Sequence, residues 1–551
     1  MTPDIAYSSL LPLLIVLGTA IVSVLVEAFA PARHRYGTQM VLYLGGLLAG
    51  LASVVLLAGT QTITAGGAVA VDGPTLFLQG AMILVAIGAG LLIGERSRVG
   101  AAAGSRSPVL AGFAPQAALS PGGDAEREAE RAGLSQTEVF PLALFATGGL
   151  MLFPAANDLI TLFIALEVLS LPLYVMCGMA RRRRLLSQEA AVKYFLLGSF
   201  SSAFFAYGAA LIYGYAGTVD FGGIARVVAD DGGTSLALVG VAMMSVGLLF
   251  KVGAVPFHTW TPDVYQGAPT SITAFMAAGT KLAAFGAILR FFHTAVPRLE
   301  ADWAPVLWVI AALTMIVGTV VGVAQTDVKR LLAYSSVAHA GFLLTGVLGP
   351  SGAGTSATLF YLAAYAVSTV GVFAVAGLVR DPDGAEITDL RAWTGLGRRQ
   401  PLIAGAFALL LLALAGIPLT SGFIAKFAVF SAAVAGGAVT LVVIGVLTSA
   451  IAASFYVRVI VVMFFRDSGS VDAVDADAPG SAAAPGSVAA PGSVAAPNPA
   501  ASGEVAFAHR PVTYAVVGVA TVVTILLGIL PQPLLDLATA ASVFAVPGLA
   551  G

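Results

Sequence analysis

The chain has 551 residues, of which 58% are hydrophobic and only 10% charged; its mean hydropathy is +0.93 and its formal net charge is −2. Soluble domains carry roughly a quarter charged residues, so this composition marks a polytopic membrane protein, and the near-neutral charge argues against a nucleic-acid partner. One cysteine, Cys177, makes no internal disulfide and cannot by itself hold an iron–sulfur cluster or a zinc ion.

At about 20 apolar residues per crossing, the sequence predicts about 14 transmembrane helices. They fall near 8–29, 39–59, 74–95, 138–154, 157–179, 188–215, 237–265, 270–294, 304–325, 329–348, 355–379, 401–431, 437–465 and 512–534. The first ends in an Ala-x-Ala-like pattern (Ala28, Ala30). The region before it has Asp4 and no Lys or Arg, and Pro31 follows at once, so it reads as a retained helix rather than a cleaved signal. Residues 100–137 are rich in Ala, Gly, Ser and Pro and then charged ("GGDAEREAERAG"). Residues 468–503 contain the six-residue repeat of "PGSAAAPGSVAAPGSVAAP". Both have the composition of disordered linkers.

Alternate loops, beginning with the first, hold 19 Lys and Arg, among them Lys329 and Arg330; the opposite loops hold only Arg226 and Arg298. The positive-inside rule makes the first set cytoplasmic and, with an even number of spans, puts both termini outside. The expected units are three N-terminal helices (1–99), a cytoplasmic linker (100–137), five helices (138–295), five more (296–467), a low-complexity cytoplasmic linker (468–510), and a last helix with its tail (511–551).

Six cations fall inside spans: Lys193, Lys251, Lys281, Arg290, Lys426 and Arg458. The chain has five lysines, and four are in this set, while loop cations are nearly all arginine. Genome composition accounts for the arginine in the loops but not for lysine in the membrane. Arginine stays protonated in essentially any protein site, whereas a desolvated lysine gives up its proton. Charge inside the bilayer is costly and marks function by default. Glu167 is the one carboxylate near the middle of a span. Two unit charges about 6 Å apart interact by roughly 3 kcal/mol at an effective dielectric near 20, enough to load or discharge a lysine. Bland alternatives stand beside this: snorkelling for Lys193, Arg290 and Arg458, and a structural ion pair for Glu167, Lys251 and Lys281.

Pro256 follows Lys251, and Pro418 precedes Lys426. Proline breaks a helix, and freed backbone groups survive in a bilayer only when buried or lining a wet cavity. Each break falls in the fourth helix of a five-helix set. Five is odd, so the sets insert with opposite orientation, and paired breaks at matching places point to an ion path. Packing kinks are the alternative. His258 follows the first break; His339, mid-membrane, is either a proton relay or a packed histidine with a local hydrogen bond.

"KVGAVPFHTWTPDVYQGAPT" (251–270), "KRLLAYSSVAHAGF" (329–342) and "GIPLTSGFIAKF" (416–427) resemble the antiporter-like membrane subunits of NADH:quinone oxidoreductase, respiratory complex I. The family also includes cation/proton antiporter and membrane hydrogenase components. Lys426, His339 and the short tail are most like its subunit N branch. The resemblance implies an all-α fold of 14 helices with two inverted five-helix repeats, each containing a broken helix, around a hydrophilic axis. It implies roles in proton transfer for Glu167, Lys251, Lys281 and Lys426, and more weakly for Lys193. It further implies a multi-pass protein of the bacterial inner membrane whose partners are the lipid bilayer, neighbouring antiporter-like and small membrane subunits, and the rest of complex I. NADH, flavin, iron–sulfur clusters and quinone are expected on those other subunits and no cofactor on this chain, in which we find no GxGxxG between a strand and a helix and no GxxxxGK[ST]. The rivals are an antiporter subunit without redox coupling and a structural scaffold.

Overall fold

The computed structural model describes residues 5–97, 109–110, 112–114, 123–131, 136–181, 183–381, 384–466 and 506–545. Most of the two linkers therefore lies outside the described residues. The helices are α1 (Leu11–Phe29), α2 (Ala32–Leu56), α3 (Gly73–Gly94), α4 (Asp124–Arg131), α5 (Val139–Leu152), α6 (Leu159–Cys177), α7 (Arg184–Ala216), α8 (Phe221–Asp231), α9 (Ser235–Val252), α10 (Trp260–Gly267) and α11 (Thr270–Arg290). There follow α12 (Glu300–Val323), α13 (Val328–Val347), α14 (Ala353–Ala376), α15 (Leu396–Arg399), α16 (Pro401–Ala415), α17 (Ser421–Ala435), α18 (Val439–Phe465), α19 (Pro511–Ile529) and α20 (Gln532–Ala540).

Among the described residues, eleven helical segments are long and apolar enough to cross a membrane. Three further expected spans fall short of that measure for physical reasons. Helix α5 is short and continues as a 3-10 turn to Ala155. Helix α13 carries Lys329, Arg330, Ser335, Ser336 and His339, which lower its hydropathy, and nearly all of it is buried. Helices α16 and α17 are two halves of one broken span, as α9 and α10 are of another.

The inverted repeat is visible in matching hydrogen bonds. Asp158 caps α6 and bridges Asp220; Asp327 caps α13 and bridges Asp389, a step of 169 residues in each case (158 to 327, 220 to 389). The amide of Leu159 donates to Val219 O, and that of Val328 to Thr388 O; Phe221 N donates to Asn157 O, and Leu390 N to Thr326 O. The same tie between the first and third connections is thus made twice, and an odd number of helices between them puts the copies at opposite ends of the bundle.

Helix α11 is buried along its whole length and packs against α14, which is nearly as enclosed. An apolar helix with no outward face is a core element. Its last residue, Arg290, is sealed at 1% exposure rather than snorkelling. It pairs with Asp72, the N-cap of α3, at 2.7 Å, donates through Nε to Pro154 O at 2.6 Å, and lies over the Phe544 ring. Ala545 N also donates to Asp72, so α3, α11, the turn after α5 and residues beyond α20 meet at one ion pair.

Strands β1 (Thr62–Thr64) and β2 (Val69–Val71) pair antiparallel between α2 and α3. The first linker is not wholly without structure. Strand β3 (Arg96–Ser97) pairs with β4 (Val109–Leu110), and Phe113 bridges Ala180; Leu110 and Phe113 are buried. Apolar side chains inside the polar stretch explain the difference: they bury against the α6–α7 connection. Downstream of the second linker, β6 (Ala506–Phe507) pairs with β5 (Val379–Arg380).

Candidate functional site

Both breaks follow one design. Helix α9 ends at Val252 with Gly253 at φ +73°, and α16 ends at Ala415 with Gly416 at φ +83°. A left-handed glycine after the last turn is the ordinary helix stop. It leaves carbonyls without helical partners, which is costly in an apolar medium. Lysines fill the gap. Lys281 Nζ, from α11, donates to Val252 O at 2.7 Å. Lys426 Nζ, from α17, donates to Leu414 O at 3.2 Å and Ala415 O at 2.8 Å. In each case an ammonium sits at a helix C-terminus, the negative end of the backbone dipole. On the donor side, Val255 N, freed by the first break, finds Thr314 Oγ1 at 3.0 Å, and Trp260 Nε1 caps Phe250 O at 2.9 Å.

Lys251 is on α9 itself, one residue before the carbonyl that Lys281 takes. It is 2% exposed, donates to Ser170 Oγ at 2.7 Å and Tyr174 Oη at 3.4 Å, and lies over the rings of Tyr174 and Tyr194. Glu167 stands one turn before Ser170 on α6. It makes no direct ion pair with Lys251 and is half-buried, with Oε1 lacking a hydrogen-bond partner. Ser170 therefore stands between the two charges that the sequence places together.

Between Lys281 and Lys426 lies a cluster of hydroxyls and one imidazole. Lys281 Nζ is 6.0 Å from the centre of the Tyr365 ring, and that ring is 5.1 Å from the ring of His339. His339 Nδ1 is 2.7 Å from Tyr361 Oη, its Nε2 is 3.4 Å from Tyr456 Oη, and its ring is 5.8 Å from that of Phe342. Lys426 further donates to Ser449 Oγ at 2.7 Å and lies 4.8 Å from the Phe342 ring centre. Lys251, Lys281, His339 and Lys426 thus stand along one buried line joining both breaks. The arrangement can pass protons between amines that alternate between charged and neutral, through hydroxyls that donate and accept at once.

Two predicted residues lie off this line. Lys193 is 41% exposed and pairs with Glu189 at 2.7 Å and Asp263 at 2.8 Å. His258 is half-buried after the first break, near the Tyr334 ring. Sequence reasoning passed over Lys329, which it assigned to a loop. Lys329 is 1% exposed at the start of α13. The available signal was residue choice: it is the fifth of five lysines in a chain whose loops otherwise use arginine.

Gly416 also holds Lys426 in place, because a Cβ there would meet Lys426 Cδ at 2.9 Å. Gly416→Ala is expected to cost about 1–2 kcal/mol from the left-handed backbone and to push the ammonium off its carbonyls. Thermal unfolding in mild detergent measures the first effect and proton pumping the second.

The family described as NADH:quinone oxidoreductase/Mrp antiporter, TM, matches residues 156–452, the stretch that contains both breaks. NADH-quinone oxidoreductase subunit N of Rhodococcus opacus (strain B4) is 59% identical over 98% of this chain and 97% of the relative. The subunit N of Mycobacterium tuberculosis (strain ATCC 25618 / H37Rv) is 55% identical over 98% of each. Among solved structures, a chain of respiratory complex I from Thermus thermophilus with bound Aureothin superposes with a TM-score of 0.72 at 31% identity, covering 96% of this chain and 99% of that one. A chain of the Mrp complex from Dietzia sp. DQ12-45-1b gives a TM-score of 0.74 at 22% identity, covering 98% and 97%, a likeness of fold.

Proposed function

This chain belongs to the family of NADH-quinone oxidoreductase subunit N, and on that premise we propose that it carries protons along its buried lysines while quinone is reduced elsewhere in respiratory complex I. It is a multi-pass membrane-arm subunit whose partners are other subunits of that complex. The fold is shared with an Mrp complex and does not choose between the two classes; identity above 50% over nearly the full chain to subunits N does. We place it in a bacterial inner membrane with both termini outside, and place NADH, flavin, iron–sulfur clusters and quinone on its partners.

The reading rests on one observation: three lysines, each almost fully buried, held by carbonyls or hydroxyls at or beside the two helix breaks. Glu167, half-buried with a free carboxylate oxygen, is where a neighbouring subunit would perturb the line. Lys251 then passes its proton through Lys281 toward His339 and Lys426. Ser170 and Tyr174 offer Lys251 neutral oxygens rather than a carboxylate, and Glu167 stands one turn from Ser170 on the same helix.

Lys251→Ala is expected to lower proton pumping by about tenfold or more with complex assembly intact, because a general acid–base group contributes about 10²–10⁴-fold where proton transfer limits the rate. Full pumping by this variant with normal NADH oxidation removes Lys251 from the path.

A further inference from the structure

Lys329 lies outside the line just described, and its surroundings are those of a working group. Its Nζ donates to Ala268 O at 2.7 Å and stands 3.8 Å from Glu386 Oε2. Glu386 accepts from Thr270 Oγ1 at 2.5 Å and pairs with Arg380 at 3.0 Å. Ala268 lies in the connection between α10 and α11, and Thr270 is the first residue of α11. Lys329 and Glu386 therefore grip the segment that leads from the first broken helix into the helix of Lys281. Burial alone would raise the carboxyl of Glu386, but Lys329 and Arg380 outweigh it and hold that group below its ordinary range, so it is a carboxylate at neutral pH.

Two small cavities flank this pair. One, of about 30 Å³, is lined by Arg183, Gln266, Lys329, Arg380 and Glu386. The other, also about 30 Å³, shares Arg380 and Glu386 and adds Arg510 and Thr513. Each has polar walls and room for about two waters. From Lys329 inward the polar groups continue. Ser336 is seven residues along α13, two turns or about 10.5 Å away on the same face. It lies 3.5 Å from Tyr265 Oη and accepts from Tyr365 Oη at 2.9 Å. Tyr365 is the ring beside Lys281.

We propose that Lys329 is the loading residue of this subunit: it takes protons from the side that bears the positively charged loops and delivers them by way of Tyr265, Ser336 and Tyr365, in that order, to Lys281. A neutral Lys329 amine takes a proton from cavity water, which is replenished from bulk. The ammonium then loses that proton inward. Each hydroxyl releases one proton as it accepts another, and a new N–H bond forms on a neutral Lys281; no electron moves. Water bridges the gap from Lys329 to Tyr265 and, because Lys281 faces the Tyr365 ring rather than its hydroxyl, the last step from Tyr365 to Lys281 as well. Arg380 shares the carboxylate of Glu386, which leaves that carboxylate only partly committed to Lys329 and lets the ammonium discharge. An arginine at this position would keep the clasp and lose the function, since guanidinium does not release its proton.

The proposal rests on the reading that Lys281 carries protons, and the test separates the two. Lys329→Arg, Tyr265→Phe and Lys281→Arg are placed in the whole complex, and NADH-driven proton uptake is followed in inside-out membrane vesicles. Reduction of an artificial electron acceptor by NADH reports assembly. Lys329→Arg is expected to lose about fivefold or more in pumping with assembly unchanged, and Tyr265→Phe to lose several-fold with the clasp untouched. A structural clasp alone would leave Lys329→Arg at the wild-type rate. That result, with Lys281→Arg impaired, overturns the loading role. Should the arginine variant not assemble, normal pumping by Tyr265→Phe overturns it instead. Normal pumping by Lys281→Arg overturns the reading on which the proposal depends.

Discussion

Lys281→Met is expected to lower NADH-driven proton translocation by at least about tenfold, equivalent to ~1.4 kcal/mol or more on the limiting step, in complexes that still assemble. Methionine has nearly the volume of lysine and suits an apolar site, and α11 is buried all round, so packing survives. What is lost is the ammonium that links the first break to the Tyr365–His339 cluster. Val252 O also loses its donor, a cost of about 1–3 kcal/mol that falls on the break itself. The assay is dye-reported proton uptake in inside-out vesicles at matched acceptor-reduction activity. Wild-type uptake by Lys281→Met would mean that protons bypass α11.

Arg290→Met is expected to cost about 3–5 kcal/mol of stability, since removing one partner of a buried ion pair leaves the other charge uncompensated. Here that charge is Asp72, fully buried at the N-terminus of α3. The guanidinium also holds Pro154 O and Thr75 Oγ1. The variant should unfold at a markedly lower temperature in mild detergent and reach the membrane in reduced amount. Adding Asp72→Asn should recover part of the loss, because the orphan charge is then gone, and the double-mutant cycle isolates the pair. A single-variant shift below about 1 kcal/mol would show that Asp72 finds water or another cation instead.

These two arginine and lysine sites mark the limits of what a sequence conveys here. The breaks were legible because Pro256 and Pro418 each stand near a lysine inside an apolar run. The burial of Lys251 and Lys281 was legible because neither is close enough to a span end to reach water, whereas Lys426 stands near the end of its expected span at 431 and was marked by the break before it. Arg290 invited the opposite reading: it ends its helix, and nothing local reveals a partner 218 residues earlier, at Asp72. Lys329 was misplaced for a related reason. It adjoins Arg330 at the head of α13 and looks like a loop cation, and only the packing of Ala268 and Glu386 over it makes it internal. Ser170, between Glu167 and Lys251, was invisible because a serine in a helix carries no signal of what it faces. The hydroxyl cluster around His339 assembles from α10, α13, α14 and α18, and contacts among four helices are a property of the fold rather than of any one segment.

The way α18 ends and β6 begins has a consequence for how the subunit tolerates change. Arg398 holds Phe464 O at the end of α18, and β6 pairs with β5 at Val379–Arg380, so both ends of the intervening chain are moored to the connection between α14 and α16. Two anchors on one dock set no distance that the residues between them must span. The length and composition of that stretch are then free to drift between lineages without strain on the bundle, which makes it a natural place for a reporter or affinity tag.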